Sequence, residues 1–253
     1  MTDNLFNNLQ LKNGDKVLVS SDILKFLLKK KEKDIEQEAN RIIDNLIEKI
    51  GESGTLLLPT YNWDFCKGIE FNYKKTLSLS GALGNVALKR KDFLRTKNPI
   101  YSFATTGKDS GMLAKLNHTS CFSLDSPFGY LIKNKGKNLF LDLDYKKGFT
   151  FCHVAEETVG VDYRYQKIFS GFYVDQNDNK FKANFSMLVR DIKSNVGMTV
   201  ISEKFDSFLE KVNAIKKYDF NEMQTTIIDI EKAYNLMVND IKKKGGLIYP
   251  KKN

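Results

Sequence analysis

The sequence predicts an α/β fold, with α+β as the alternative: a mixed, largely parallel central sheet covered by helices, in one compact domain spanning residues 1–253. Three observations predict it. The runs KVLVSSD and GTLLLPTY are apolar on consecutive positions, as strands buried on both faces are. Between them lies a stretch with apolar residues at helical spacing, giving the β-α-β order of a helix-covered sheet. The chain also carries 4 Pro and no Ser/Gly-rich run, so nothing reads as a linker between domains.

Lys16 to Val19 reads as the first buried strand, closed by the polar turn Ser20-Ser21-Asp22. Ile35, Ala39, Ile42, Ile43, Leu46 and Ile47 then recur at helical spacing, and Gly51 supplies a stop. GTLLLPTY is the second strand, ending in Pro59-Thr60-Tyr61. GALGNVALKRKDF reads as a helix, and KNLFLDLD (Lys137 to Asp144) as another strand. FSGFYVDQNDNKFKANFSMLVRD alternates like a β-hairpin that turns at Asn177-Asp178-Asn179. From Phe205 to Lys244, helical periodicity is mixed with charge. Ligands of open α/β sheets gather beyond the carboxyl ends of strands. The ends at Ser20-Ser21, at Pro59-Thr60-Tyr61 and in the loop leading to Thr150 and His153 therefore form a candidate site.

The chain has 40 Lys+Arg against 31 Asp+Glu, a formal charge of +9. Such a balance favours anionic partners, including small molecules bearing phosphates, and disfavours polycations at long range. Lys29–Lys33 and Lys242–Lys244 read as solvated faces. No basic-aromatic module appears, so charge alone does not make a nucleic-acid binder. The N-terminal text lacks an apolar h-region and no apolar run approaches a membrane span, which predicts a cytoplasmic protein without membrane insertion. Cys66, Cys121 and Cys152 are odd in number and lack CxxC spacing, so they read as free thiols.

No GxxxxGK[ST], strand-linked GxGxxG, GxSxG or HExxH occurs. The chemistry concentrates instead in TFCHVAEETVG, Thr150 to Gly160, which holds one of the 2 His residues. His153 is followed at i+3 and i+4 by Glu156 and Glu157. A metal pair would need His118 from a distance, and no metal is expected. Thr150 as a helix cap with acidic residues behind it explains the same letters without chemistry, and spacing alone favours that reading. A catalytic base with an orienting carboxylate is the third reading. Cys152, beside His153 but pointing elsewhere on a helix, reads as core. Tyr163, Arg164, Tyr165 and Phe169 read either as a substrate wall with a phosphate-binding arginine or as packing along a strand edge.

Four blocks in order then carry a resemblance. GDKVLVSSD, GTLLLPTYNWDF, LSGALGNVALKRKDFLRTKNPIYSFATTG and DSPFGYLIKNKGKNLFLDLDYKKGFTFCHVAEE resemble the aminoglycoside 3-N-acetyltransferase family over about residues 14 to 173. The resemblance implies acetyl-CoA-dependent transfer to an amine without metal. It implies His153 as general base, Glu156 as its partner and Thr150 as a hydrogen-bond donor near the thioester. Ser20, Ser21, Thr60, Tyr61 and the turn containing Ser126, Phe128 and Gly129 would contact coenzyme A. Trp63, Tyr101, Asp142, Asp144, Glu157 and Arg164 would face the amine substrate.

Two departures bear on the acceptor. Tyr101 stands where antibiotic-modifying members usually have His, and Asp142 and Asp144 replace a Gly-x-Gly-like pattern. With the +9 charge, these favour a nucleotide-linked amino sugar of surface glycan assembly as acceptor. An aminoglycoside antibiotic is the alternative, and a non-catalytic binder of coenzyme A or another anionic ligand the third reading. A homodimer is compatible with the sequence.

Overall fold

The computed structural model describes residues 6, 8–23, 27–28, 34–194, 196–220 and 223–252. In chain order the first half forms β1 (Lys16–Ser21), α1 (Ile35–Ile50), β2 (Thr55–Pro59), β3 (Phe71–Asn72), α2 (Ala82–Ala87), β4 (Leu94–Arg95), β5 (Phe103–Gly107) and α3 (Ser110–Lys115). There follow α4 (Pro127–Lys133), β6 (Lys137–Leu141), α5 (Tyr145–Gly148), α6 (Phe151–Val159), β7 (Arg164–Val174) and β8 (Lys180–Arg190). The last elements are β9 (Val196–Ile201), α7 (Phe205–Lys211), β10 (Ile215–Phe220), β11 (Met223–Asp229), α8 (Ile230–Lys243) and β12 (Ile248–Lys252).

Seven strands make the central sheet, in the order β10-β11-β6-β1-β2-β5-β4. Its middle trio, β6-β1-β2, is parallel, and the flanks are antiparallel. The continuous apolar runs are explained by burial on both faces. Val17 and Val19 of β1 pack with Leu56, Leu58, Leu139 and the apolar stripe of α1. Leu18, Leu57 and Phe140, one position out of phase, join the opposite core around Phe128 and Phe151. α1 begins where the Asp34 side chain accepts from the Gln37 amide and ends at Gly51, φ 64°.

The sheet is mixed, as expected, and the α/β class holds. Several boundaries move. The strand read through Asp144 stops at Leu141, because Asp142 turns to φ 49° and the chain leaves the sheet. The helix read over GALGNVALKRKDF is short, Ala82–Ala87. The hairpin starts at Arg164 and turns through Asp175, whose carboxylate accepts from the Asn177 and Asn179 amides. Two strands hide in the charged C-terminal region, β10 and β11, which extend the central sheet beyond β6. Lys242 and Lys243 close the last turn of α8 and, with Lys244, are exposed, a solvated helix end. The Lys29–Lys33 run lies outside the described residues.

Candidate active site

The carboxyl ends of β1, β2 and β6 share one edge of the sheet, where parallel folds collect ligands. Antiparallel β5 starts on that same edge, with Phe103 opposite Pro59. Tyr101 therefore arrives beside Tyr61, with ring centroids 4.5 Å apart. Buried Arg95 braces this corner, donating to the carbonyls of Thr60 (3.3 Å), Tyr73 (3.2 Å) and Thr76 (2.6 Å) and to the Ser102 hydroxyl (3.1 Å). That accounts physically for the Arg…Pro…Ser-Phe text. Beyond β6 the chain makes α5, then Thr150, then α6, whose residues Phe151, Val154 and Ala155 are fully buried.

Glu156 is the centre of the arrangement, a carboxylate with no exposed surface. An ionised group there is tolerated only if its charge and lone pairs are met. The His153 Nδ1–H donates to Oε2 at 2.7 Å. The Thr199 hydroxyl from β9 donates to Oε1 at 2.6 Å, and the Tyr163 hydroxyl to Oε1 at 3.0 Å. Arg164 brings Nε within 2.8 Å of Oε2 as a charge contact without hydrogen-bond alignment, while its Nη2 donates to Thr199 at 2.6 Å. Burial raises the Glu156 pKa, but the bond from His153 and the charges of His153 and Arg164 outweigh it, holding the carboxyl below its usual range. For His153, burial opposes the charged form. The neighbouring Cys152 sulfur and the Glu156 carboxylate outweigh it and raise the imidazole pKa.

His153 opens into a cavity of about 910 Å³. With Nδ1 committed to Glu156, Nε2 is the nitrogen left for chemistry. Of the sequence-predicted residues, Tyr101, Asp144, Thr150 and Arg164 line the same cavity. The Tyr61 and Trp63 rings pack against Tyr101, with centroids 4.5 and 6.2 Å away, so both act on the wall from behind it. Burial pushes the Tyr101 phenol up to about 12, so it stays neutral.

Other expectations are corrected. Thr150 makes no side-chain cap bond and no acidic residue sits in the first turn of α6, so the cap reading falls. Arg164 is engaged by Glu156 and Thr199 and not free for a phosphate. Glu157 turns away from His153, and both its oxygens accept from the Ser120 hydroxyl, at 2.7 and 2.9 Å. Cys152 is buried, yet its Sγ lies 3.6 Å from His153 Nδ1, nearer than helix directions suggest. Thr60, Ser126 and Phe128 are enclosed, with Thr60 bonded to Ser102 and Ser126 to the Ser123 carbonyl. Ser20 and Ser21 stand half-buried at the strand edge, where Ser20 accepts from Asn138. Asp142 leaves β6 on that edge, its amide donating to the Gln224 carbonyl.

Gly129 has a packing reason. A Cβ there would lie 2.1 Å from the Leu124 carbonyl oxygen. Gly129→Ala is expected to cost about 1–3 kcal/mol through forced backbone movement, read as a lower thermal midpoint.

Sequence reasoning missed Thr199 and Arg190. Thr199 lies 43 residues from Glu156, and no local pattern announces it. Arg190 was findable, since counting outward from Asn177 along the hairpin brings it opposite Arg164.

A model of the aminoglycoside 3-N-acetyltransferase family matches residues 29–242. The chain belongs to the aminoglycoside 3-N-acetyltransferase family. It is thus an N-acetyltransferase with acetyl-CoA as co-substrate. Among solved structures of similar fold is aminoglycoside acetyltransferase AAC(3)-Xa, with a TM-score of 0.76 at 16% identity, covering 95% of this chain and 91% of that one. AAC(3)-IIb gives 0.77 at 14%, with 95% of both chains covered. AAC-IIIb, solved with CoASH, gives 0.76 at 14%, covering 96% of this chain and 95% of that one. A search of the curated proteins found no match. Among the described residues no three His, Cys, Asp or Glu side chains gather to hold a metal, and no helix is long and apolar enough to cross a membrane.

Proposed function

We propose that this family member, a single domain over residues 1–253, moves acetyl directly from acetyl-CoA to a primary amine of an amino sugar in a ternary complex. His153 is the general base. The observation that carries this reading is the His153–Glu156 pair at 2.7 Å on the wall of the cavity. An alkylammonium is protonated near neutrality (about 10.4 for a lysine side chain), so a base must take its proton as the nitrogen attacks. The ammonium gives up one proton through His153 Nε2 to solvent as its lone pair is freed. The N–C bond forms, the C–S bond breaks, and the second proton shed by nitrogen passes through Nε2 to the leaving thiolate. Glu156 holds the imidazole by Nδ1 and offsets its charge. Thr150 donates to the developing oxyanion. Ser20 and Ser21 meet coenzyme A at the sheet edge, while Thr60, Ser126, Phe128 and Gly129 support that edge from beneath.

The acceptor in this reading is a nucleotide-linked amino sugar, acetylated in the cytoplasm. Support comes from the +9 charge and from a cavity wall with four cations. Of these, Lys146 and Arg164 are paired with carboxylates, and Lys147 and Arg190 have no carboxylate partner among the described residues. Family membership favours a second acceptor, an aminoglycoside, with Asp144 as a local cation site. Incubating the chain with acetyl-CoA and each acceptor class, with thiol release as readout, separates them. Turnover of nucleotide amino sugars is expected. Acetylation of kanamycin-type compounds with nucleotide sugars ignored would decide for the second acceptor.

A further inference from the structure

The four cations on the cavity wall are not equivalent. Lys146 sits between Glu203 and Asp206, and Arg164 is held by Glu156. Arg190 and Lys147 have no carboxylate partner among the described residues. The β7–β8 register sets Arg190 directly opposite Arg164, so both side chains leave the same face of the hairpin. Like charges directly opposed across antiparallel strands are unfavourable. Glu156 offsets one member of this pair, and no carboxylate among the described residues offsets the other. Arg190 is also half-buried, so water screens it less than it would a surface arginine.

A guanidinium lining the cavity at such a position, with its fork unfilled by any described residue, matches a planar bidentate acceptor. Lys147, exposed on α5, adds a second positive charge on the same wall. Two cations suit the two negative charges of a pyrophosphate diester. We infer that Arg190, with Lys147, forms a phosphate-binding subsite of the acyl-transfer cavity. The inference rests on the reading of this cavity as the transfer site. The phosphate belongs to one of two substrates, the coenzyme A donor or a nucleotide-linked acceptor.

Calorimetric titration of inorganic pyrophosphate into the wild-type chain, Arg190→Gln and Arg190→Lys tests it. Arg190→Gln is expected to weaken binding about tenfold or more, as loss of a charge-assisted bond does. Arg190→Lys should recover part of the loss, since it restores charge without the fork. A thermal melt of Arg190→Gln should show a midpoint no lower than wild type, because the opposed pair is relieved. Pyrophosphate binding that is unchanged in Arg190→Gln overturns the inference. Repeating the titration with saturating coenzyme A identifies the source. Competition assigns the phosphate to the donor, and undiminished binding assigns it to the acceptor. Binding needs no turnover, so the subsite stands or falls separately from the base. His153→Ala that binds pyrophosphate normally yet remains active would remove the catalytic assignment and leave the subsite.

Discussion

His153→Ala is expected to lower kcat by about 10²–10⁴-fold, the range for a positioned general base, with acetyl-CoA affinity nearly unchanged. The imidazole offers Nε2 to the cavity and spends Nδ1 on Glu156, so its removal takes the proton acceptor and little of the wall. Measuring turnover beside equilibrium binding of coenzyme A separates the two effects. Retained activity would sink the mechanism. The pH profile supplies an independent check. Because Glu156 and Cys152 hold the His153 pKa above its ordinary value, the base form is the minor one near neutrality. The rate should therefore rise with pH until the raised pKa is passed. Glu156→Gln removes the carboxylate charge, lowers that pKa and shifts the rising limb to lower pH. A limb that stays in place would mean another group controls the proton.

Glu156→Ala is expected to cost about 3–5 kcal/mol of folding stability, the usual result of removing one partner of a buried ion pair. It leaves the Arg164 guanidinium, 9% exposed, without its carboxylate, and orphans the Thr199 and Tyr163 hydroxyls. For a chain of this size that is a drop in thermal midpoint on the order of 10 °C. The linkage has a definite sign. The folded pKa of Glu156 lies below its unfolded value, so its stabilisation is full above the ordinary carboxylate pKa of about 4.3. It is lost as pH falls through the folded value. Glu157→Ala is the control, since it surrenders a bond from Ser120 and no buried charge. Equal losses for the two variants, in urea melts at neutral pH, would show that Glu156 is an ordinary polar contact.

The parallel centre of the sheet and the helix α1 were legible because their cause is local. Val17 to Val19 and Leu56 to Leu58 are apolar on every position, and the α1 stripe repeats at helical spacing. The strands β10 and β11 were not legible. Their texts IKKYDF and MQTTIID carry charge and polar residues, and their partners are each other and distant β6. At the site, the choice of Glu156 over Glu157 lay beyond spacing, since i+3 and i+4 both reach a neighbouring turn. Resemblance made that choice; in the structure Glu156 bonds His153 and Glu157 bonds Ser120.

By itself the sequence determined an α/β sheet, a basic chain and one segment, Thr150 to Gly160, dense enough in chemistry to hold a site. Tertiary structure alone decided what that segment does with its charges. Thr199 and Arg164 arrive on β9 and β7, and together they enclose a carboxylate that helix spacing would have left in water. The same hairpin register sets Arg190 against Arg164, spending one guanidinium on Glu156 and leaving the other toward the cavity. Such assignments depend on which long-range neighbours desolvate and pair a group, and no window of sequence contains them.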